Sequence, residues 1–323
     1  MKLRVVEGWS GLDSELKGAA IALGSFDGVH RGHQRVIALA AKAAADLASP
    51  ARPLPLGVVT FEPHPRRWFQ PGEPTFRLTT LDQQARVLDA LGVERLYRLP
   101  FDARMAALSD EQFAREVLSE GLGARHVAAG FDITFGKGRS GSADLLARYG
   151  ETYGFGVSIA QALTDDAIIE SGGKISSTAV RDALRDGDPE RAAHVLGRPF
   201  SIEGVVVHGD KLGRTIGFPT ANIALSDYVV PRHGIYATRT RLSDGREVAG
   251  VAYVGRRPTV DLGTQERLEV HLLDFDEDLY GQTLETDLVH FLRGDAKFDS
   301  LDAMVAQMDD DKADARRLLL PEL

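Results

Sequence analysis

The sequence contains no cysteine and no apolar run long enough to cross a membrane. Without cysteine the chain has no disulfide, no thiolate nucleophile and no cysteine-ligated zinc. A transmembrane helix needs about 20 consecutive apolar residues, so a membrane-spanning protein is not expected. The first residues also lack the basic and then apolar pattern of a secretory signal peptide. These absences predict a cytoplasmic protein with no membrane partner.

Basic residues are in the minority, because 38 Lys and Arg stand against 47 Asp and Glu and give a net charge of −9. Nearly all of this acidic excess lies after Asp186. An acidic half repels a polyanion, so nucleic acid is not expected as a partner. The first half is nearly neutral and is compatible with a local pocket for small phosphates. At roughly 150 residues per domain, 323 residues predict two domains.

The first half alternates short apolar runs with segments of helical period. A helix is predicted over residues 35–47, and Ser109 with Gln112 fits a capping box at the start of a later helix. The predicted strands are residues 19–23, 56–61, 95–99, 126–130 and 156–160. Alternating strands and helices predict an α/β domain with a Rossmann-like, doubly wound parallel sheet.

The alternation stops near residue 187. Asp188 and Pro189 begin a short helix that Gly197 ends. The predicted organisation is therefore a first domain over residues 1–186, a linker helix over 187–198 and a second domain over 199–323.

The second domain has the pattern of an antiparallel β-barrel with a C-terminal helix. Its strands are predicted at residues 202–207, 235–241, 247–254, 268–275 and 284–291, a succession typical of a closed or nearly closed barrel. An amphipathic helix follows at about residues 301–318. The aspartate run at 309–311 is interpreted as a solvated face of this helix rather than a metal site.

Residues 24–33 follow the first strand and open the first helix. Nucleotides bind at the carboxyl ends of strands in open α/β sheets, and a helix N-terminus offers N–H groups to an anion. His30 and His33 fall on one side of the first helical turn, and Gly32 between them leaves room for a phosphate. Two imidazole donors there suit the charge that develops when a phosphoryl group is attacked. The alternative is that these histidines cap the helix or pack in the core.

Three segments carry a resemblance to known proteins: GSFDGVHRGH at 24–33, TFEPHP at 60–65 and ISSTAVR at 175–181. The first looks like the His-x-Gly-His signature of nucleotidyltransferases, and the three together resemble the bacterial bifunctional riboflavin kinase/FAD synthetase family. The resemblance implies that Arg181 acts on the pyrophosphate leaving group beside the two histidines. It also implies ATP contacts at Gly24, Ser25, Phe26, Gly32, Ser177 and Thr178. Taken alone, the Ser/Thr cluster would be interpreted first as a helix cap.

The same resemblance places a flavin in the first domain. The implied flavin lies beside His64. The alternative is that His64 has a structural role in a rigid turn between two prolines. A second stretch, at residues 130–139, resembles the family's flavin-binding segment. The implied flavin-binding residues there are Asp132, Phe135 and Arg139. The family usually has Phe-Arg where this chain has Ile133 and Thr134.

The second domain opens with a glycine-rich loop but contains no G-x-x-x-x-G-K-[ST] pattern, so a P-loop is excluded. The sequence GFPTAN at 217–222 resembles the magnesium and phosphate motif of riboflavin kinases. It implies that Thr220 and Asn222 are oxygen ligands of Mg²⁺. The ATP contacts implied in this domain are Gly209, Lys211, Gly213 and Gly217.

Glu269 is the candidate general base of the second domain. It alternates with Leu268 and Val270 along a strand and therefore points away from them. A carboxylate at the barrel mouth is suited to accept a proton from a primary hydroxyl. An exposed strand glutamate is the alternative, but the surrounding LEVHLLDF sequence also resembles riboflavin kinases. The resemblance covers nearly the whole chain.

Together these patterns predict a bifunctional enzyme of FAD biosynthesis. The second domain would phosphorylate riboflavin to FMN with ATP and Mg²⁺, and the first would adenylylate FMN to FAD with a second ATP and release pyrophosphate. The alternatives are an enzyme with only one of the two activities, a flavin-binding regulatory or carrier protein without turnover, and a tRNA-binding relative. A homo-oligomer is compatible with the sequence but is not indicated by it.

Overall fold

The computed structural model describes residues 3–49, 53–164, 173–209, 213, 216–259 and 263–320, without the side chains of 257–259 and 263–265. The chain folds into two compact units. The first comprises Met1–Glu73 and Leu81–Ile175, and the second comprises Pro74–Thr80 and Ser176–Leu323. Each unit has its own sheet.

The first unit is built on a parallel sheet. Its strands are β1 (Arg4–Glu7), β2 (Ala20–Leu23), β3 (Leu56–Glu62), β4 (Arg95–Pro100), β5 (His126–Gly130) and β6 (Gly156–Ala160). They lie in the order β1-β4-β3-β2-β5-β6, and every neighbouring pair is parallel. The helices are α1 (Arg31–Leu47), α2 (Pro65–Phe69), α3 (Leu81–Ala90), α4 (Ala103–Ala107), α5 (Asp110–Gln112) and α6 (Ala143–Tyr153). A π-helix, Phe113–Gly121, continues α5.

Both faces of this sheet are buried. Ile21 and Val59 belong to one apolar cluster, whereas their neighbours Ala22 and Val58 belong to another. Because successive strand residues point to opposite faces, the two clusters lie on the two sides of the sheet, as in parallel sheets covered by helices. The predicted doubly wound sheet is therefore confirmed. Its edge strand β1, exposed at three of four positions, is absent from the sequence prediction.

The strand order reverses beside β2. The next strand in sequence, β3, pairs with one edge of β2, and β5 pairs with the other. In open α/β sheets ligands bind outside the carboxyl ends of the strands at such a switch point. The segments that begin there are residues 24–33 after β2 and 130–139 after β5. The fold thus brings two of the predicted binding segments to the same edge of one sheet.

The second unit is built on an antiparallel barrel. Its strands are β7 (Phe200–Val205), β8 (Ala221–Ala224), β9 (Gly234–Arg241), β10 (Glu247–Thr259), β11 (Gly263–Leu272) and β12 (Thr283–Arg293). Its helices are α7 (Ser177–Asp186), α8 (Pro189–Leu196) and α9 (Leu301–Leu319). The strand order is β7-β12-β9-β10-β11-β8, and the Val207 N–H donates to the Asn222 carbonyl oxygen at 2.9 Å beyond β7. This bridge joins the two end strands, so the barrel is nearly closed, as predicted.

Helix α9 packs on the outside of the barrel through Ala315 and Leu319. Asp311 lies on the same side and is only 4% exposed. Its carboxylate accepts hydrogen bonds from Nε and Nη2 of Arg293 at 2.8 and 2.7 Å. The interpretation of the aspartate run as a solvated face is therefore wrong for Asp311, because a bidentate guanidinium compensates its burial.

The compact units differ from the predicted domain boundary at 186. Helix α7 belongs to the second unit, and so does the segment 74–80. In this segment the Arg77 N–H donates to the Asp227 carbonyl oxygen at 3.0 Å, and the Val229 N–H donates to the Arg77 carbonyl oxygen at 2.8 Å. Such backbone pairing attaches the segment to the barrel side, a long-range contact that sequence patterns do not reveal.

Candidate active sites

The loop after β2 has a strained backbone. Phe26, Gly28 and Val29 have φ angles of 51°, 82° and 43°. Positive φ is uncommon for residues other than glycine, and it is costly for a β-branched valine. The turn is anchored by the buried side chains of Phe26 and Val29, and a Cβ at Gly24 would lie 3.3 Å from the Phe26 ring. Strain of this kind is kept where packing enforces it, and it clusters at ligand sites.

Two side chains from neighbouring elements fix this loop. Thr60 Oγ1 donates to the Ser25 carbonyl oxygen at 3.0 Å. Gln84 Nε2 on α3 donates to the carbonyl oxygens of Ser25 and Phe26, each at 3.1 Å. Gln84 is absent from the sequence prediction, and its one signal is a polar residue in an amphipathic helix. The backbone of two predicted ATP contacts is thus held by three hydrogen bonds that are partly or fully buried.

His30 is the N-cap of α1. Its Nδ1 accepts a hydrogen bond from the backbone N–H of His33 at 3.2 Å, so the proton of the neutral ring is on Nε2. The rings of His30 and His33 are stacked, with centroids 3.6 Å apart. A Cβ at Gly32 would lie 3.0–3.1 Å from atoms of the His30 ring. The cap considered as an alternative is therefore present, and it orients the Nε2–H of His30 rather than excluding a chemical role.

His64 likewise caps a helix, since its Nδ1 accepts from the Arg66 N–H at 3.1 Å. The helix it begins, α2, carries Trp68 and Phe69, which are 40% and 65% exposed. Phe101 contacts both rings edge to face, at centroid distances of 6.5 and 5.7 Å. We call Trp68, Phe69 and Phe101 the aromatic platform. Its only sequence signal is the Trp-Phe pair shortly after TFEPHP.

In the segment after β5, some side chains are buried in the core and others lie on the surface. Phe135 is 8% exposed and packs against Phe113 with ring centroids 5.7 Å apart. Phe131 is the more exposed aromatic residue, at 43%. Asp132 forms an ion pair with Lys174 at 2.7 Å, and the same ammonium group lies 5.0 Å from the Phe131 ring centre. Phe135 therefore anchors the segment, while Phe131 and Asp132 lie on its surface.

Asp110 holds this segment from α5. Its carboxylate accepts hydrogen bonds from Ser140 Oγ and from the Tyr149 hydroxyl, both at 2.7 Å. These bonds lower the pKa of Asp110, and the carboxylate in turn raises the pKa of Tyr149 to about 12. A Cβ at Gly136 would lie 2.4 Å from the Asp110 nitrogen, so only glycine allows this approach. Arg139, exposed and with a φ of 59°, follows in the same turn.

The Ser/Thr cluster begins α7 in the second unit. Ser176 Oγ accepts from the Ala179 N–H at 3.1 Å and caps the helix. The capping residue is therefore not one of the predicted ATP contacts, Ser177 and Thr178. These two residues lie in the first turn of the helix, where Ser177 is half-buried and Thr178 is exposed. Arg181 is 8% exposed, and its Nε donates to the Phe76 carbonyl oxygen at 2.7 Å.

A cavity of about 360 Å³ lies beside β8 and β11 in the second unit. The predicted site residues that line it are Gly209, Gly213, Thr220, Asn222 and Glu269. Gly217, with a φ of 85°, begins the turn that leads to Thr220. Lys211 lies outside the described residues. The barrel thus brings together most of the residues that the sequence assigned to one site.

Glu269 and Asn222 are directly opposite each other across β8 and β11, so their side chains share one face. Leu268 and Val270 are fully buried on the other face, as the alternation predicted. Arg267, two residues before Glu269, donates from Nη1 to Asn222 Oδ1 at 3.0 Å and to Glu269 Oε1 at 3.2 Å. Arg267 is absent from the sequence prediction, although its spacing from Glu269 places it on the same strand face.

Close backbone approaches surround the two oxygen donors. Asn222 is 7% exposed, and its Nδ2 donates to the Thr220 carbonyl oxygen at 3.3 Å. A Cβ at Gly209 would lie 2.5 Å from the Asn222 amide nitrogen, and one at Gly213 would lie 2.2 Å from the Phe218 carbonyl oxygen. Only glycine fits at these two positions, where the loop approaches the side chain of Asn222 and the backbone of Phe218. Two neutral oxygen donors fit a hard cation that takes its other ligands from phosphates and water.

His271 holds the turn before Thr220. It lies two residues after Glu269 on β11, and its Nδ1 donates to the Pro219 carbonyl oxygen at 2.9 Å. Burial lowers the pKa of His271, although the hydrogen bond to Pro219 opposes this shift. The neutral imidazole with its proton on Nδ1 is therefore the form that fits this contact.

Comparison with known proteins finds a different family model in each part of the chain. The FAD synthetase family model matches residues 12–179, and the riboflavin kinase family model matches residues 196–319. A bifunctional riboflavin kinase/FMN adenylyltransferase of Escherichia coli (strain K12) is 41% identical over 300 residues, covering 93% of this chain and 92% of its own. The protein of the same name from Pseudomonas fluorescens is 40% identical and covers 99% of both chains. That of Bacillus subtilis (strain 168) is 38% identical over 308 residues, covering 93% of this chain and 92% of its own.

A solved structure from Streptococcus pneumoniae, described as a macrolide-efflux protein, superimposes with a TM-score of 0.84 at 33% identity. The match covers 98% of this chain and 99% of that chain. In the described part of the present chain, no helix has the length and apolarity that a membrane crossing requires. The two family models together match most of the chain, and the relatives match it over more than nine-tenths of its length. The chain belongs to the family of bifunctional riboflavin kinase/FMN adenylyltransferases.

Proposed function

We propose that the chain makes FMN from riboflavin and FAD from FMN, with ATP as co-substrate in both reactions. The observation that carries this proposal is the presence of two different sites in one chain. One is the stacked histidine pair at the start of α1, and the other is the barrel cavity around Glu269. The proposal includes a cytoplasmic location and a functional division, based on the motifs, into residues 1–186, 187–198 and 199–323. This division differs from the two compact units, which group 74–80 and α7 with the barrel.

In the kinase reaction Glu269 accepts the proton of the riboflavin 5′-hydroxyl as its oxygen attacks the γ-phosphorus of ATP. The γ-phosphorus bond to the β-phosphate bridging oxygen breaks, so FMN and ADP form. Thr220 and Asn222 would hold Mg²⁺, which would supply positive charge to the phosphate oxygens. Arg267 holds the side chains of Glu269 and Asn222 beside each other, because its Nη1 donates a hydrogen bond to both. The loop residues assigned to the ATP phosphates are Gly209, Lys211, Gly213 and Gly217.

In the adenylyl transfer an FMN phosphate oxygen attacks the α-phosphorus of ATP, and the bond to the leaving pyrophosphate breaks. His30 and His33, together with the N-terminus of α1, stabilise the charge that develops on the α-phosphate. Arg181 is assigned to the pyrophosphate. The other ATP contacts proposed here are Gly24, Ser25, Phe26, Gly32, Ser177 and Thr178.

The flavin of FMN is assigned to the surface of the first unit that carries His64 and the segment after β5. The aromatic platform offers exposed rings suited to stack on the planar isoalloxazine ring. The polar residues assigned to FMN are Asp132 and Arg139. Phe135 contributes by anchoring their segment in the core, and the exposed Phe131 adds a further ring.

Substitution of Gly32 by alanine tests the histidine pair. The added Cβ would press on the His30 ring and on the Ile175 carbonyl oxygen, 3.4 Å away, so the ring has to shift. A full misplacement of about 1 Å can cost roughly 100-fold in rate, and this shift is only a few tenths of an ångström, so we expect FAD formation from FMN to fall by about threefold to tenfold. FMN formation from riboflavin should stay at the parental rate. Equal rates of FAD formation in both proteins would show that the position of His30 is not important.

The proposed function is tested by product analysis. Purified chain is incubated with riboflavin, ATP and Mg²⁺, and flavins and nucleotides are separated by HPLC. We expect FMN and ADP first, and then FAD and pyrophosphate. A flavin carrier would bind flavin without consuming ATP, and a single-activity enzyme would stop at FMN or would need added FMN. Either pattern would overturn the bifunctional assignment.

A further inference from the structure

The ring of Phe218, in the turn that leads to Thr220, is enclosed by side chains from two other elements. It is 4% exposed. The ammonium group of Lys312 on α9 lies 4.8 Å from the ring centre. The ring of His271 on β11 lies 5.3 Å from it at an interplanar angle of 53°. We call Lys312, Phe218 and His271 the Phe218 clamp.

The backbone next to this ring is held as well. The Phe218 N–H donates to the Gly213 carbonyl oxygen at 2.8 Å, and the Pro219 carbonyl oxygen accepts from His271. Thr220, the proposed metal ligand, follows directly. A change in the position of the Phe218 ring therefore reaches Thr220 through only two peptide units.

The helix turn that carries Lys312 has its own anchor. The adjacent residue, Asp311, is buried and bound by both Nε and Nη2 of Arg293 at the end of β12. Lys312 also lies 3.5 Å from Asp309 on the exposed side of the helix. An ammonium group over an aromatic face is attracted by the ring quadrupole, most strongly where water is excluded. The C-terminal helix thus places a cation against Phe218 of the GFPTAN motif, which is distant from Lys312 in the sequence.

We infer that Lys312 is a positioning residue of the kinase site, because it holds Phe218 against His271 and so fixes the turn that presents Thr220 to the metal. This inference rests on the proposed magnesium site at Thr220 and Asn222. It makes α9 part of the kinase machinery, although the helix supplies no residue to the cavity lining described above. The ligand whose binding depends on this turn is the magnesium complex of a nucleoside diphosphate or triphosphate.

The test replaces Lys312 by methionine in the full chain, which removes the charge and keeps an unbranched side chain. Binding of Mg²⁺ with ADP is measured by isothermal titration calorimetry, without riboflavin. We expect about threefold to tenfold weaker binding, the range that a partly buried cation–π contact supports. Half-maximal riboflavin phosphorylation should also require more Mg²⁺. Lys312→Arg, which keeps the cation, should restore binding.

Arg316→Gln is the matched control, because it removes a cation one turn later on the same helix, where the partner is Asp274. Its binding of Mg²⁺ with ADP should equal that of the parent. Phe218→Leu removes the ring that both Lys312 and His271 contact, so it should weaken binding at least as much as Lys312→Met. Adding Lys312→Met to it should cause no further loss, since the cation–π contact is already broken.

Three results would overturn the inference. In the first, the parent binds ADP in a Mg²⁺-dependent manner and Lys312→Met binds it equally well. In the second, the losses of the two single variants add in the double variant. In the third, Lys312→Met lowers the melting temperature and Lys312→Arg does not restore Mg²⁺ binding, which is the behaviour of a purely structural residue. If the parent itself binds ADP without any Mg²⁺ dependence, the proposed metal site fails and the inference falls with it.

Discussion

Replacing Glu269 by glutamine is expected to lower riboflavin phosphorylation by about 10²–10⁴-fold. Glutamine keeps the shape of the side chain and still accepts the hydrogen bond from Arg267, but it cannot take the proton of the attacking hydroxyl. Because this loss occurs in the transition state, kcat should fall while the KM for riboflavin changes little. FMN formation from riboflavin and FAD formation from added FMN are measured separately. The second rate should be unchanged.

Glu247→Gln is a suitable control for this experiment. Glu247 is also a barrel glutamate, on β10, but its side chain is 58% exposed and pairs with Arg241 at the surface. Exposed ion pairs contribute little to stability, so this variant should behave as the parent in both assays. Kinase activity of Glu269→Gln within about threefold of the parent, far below the usual worth of a general base, would refute the assignment.

Replacing His33 by alanine is expected to lower FAD formation by about 10²–10³-fold, the usual cost of losing one preorganised donor. The cap of α1 should survive, because it uses the backbone N–H of His33 and the side chain of His30. ATP affinity should therefore change less than kcat. Since the barrel site is separate, riboflavin should still be phosphorylated. FMN is then expected to accumulate with riboflavin and excess ATP, as HPLC would show.

His30→Ala provides the contrast with His33→Ala. It removes the capping Nδ1 as well as the Nε2–H, so it should lower both the rate of FAD formation and the stability of the helix start, the latter by about 1 kcal/mol. Parental FAD formation in His33→Ala would make that side chain purely structural. Loss of both activities in a variant that circular dichroism shows to be folded would mean that the two sites are not independent.

The central strands were predictable because both faces of a parallel sheet are buried. Their residues are mostly apolar, as in residues 56–61, where Thr60 is the one polar side chain. A short apolar run bounded by turn residues is typical of a strand that is buried on both faces. Strand β8 lacks such a run, since ANIA is short and partly occupied by the motif residue Asn222. Its place in the barrel depends on pairing with β11, which is a long-range contact.

The chemical groups of the sites were predictable from motifs, but their supports were not. Gln84 and Arg267 act through hydrogen bonds that exist only after α3 and β11 have packed beside their targets. Asp309 and Asp311 show the same limit of sequence patterns within one run. They have identical side chains, yet one faces solvent and the other meets Arg293, because the register of α9 on the barrel decides between them.

The segment 74–80 limits which parts of the chain can be exchanged between relatives to build a chimera. The chain leaves the first unit after Glu73, contributes Pro74–Thr80 to the second unit and returns to the first at Leu81. A fragment that starts at Ser176 therefore lacks the segment whose backbone pairs with Asp227 and Val229, and also the carbonyl group that binds Arg181. Gene recombination at a single crossover would separate these partners. A chimera that takes its barrel from one relative must take residues 74–80 from that relative too, although they are encoded within the other half.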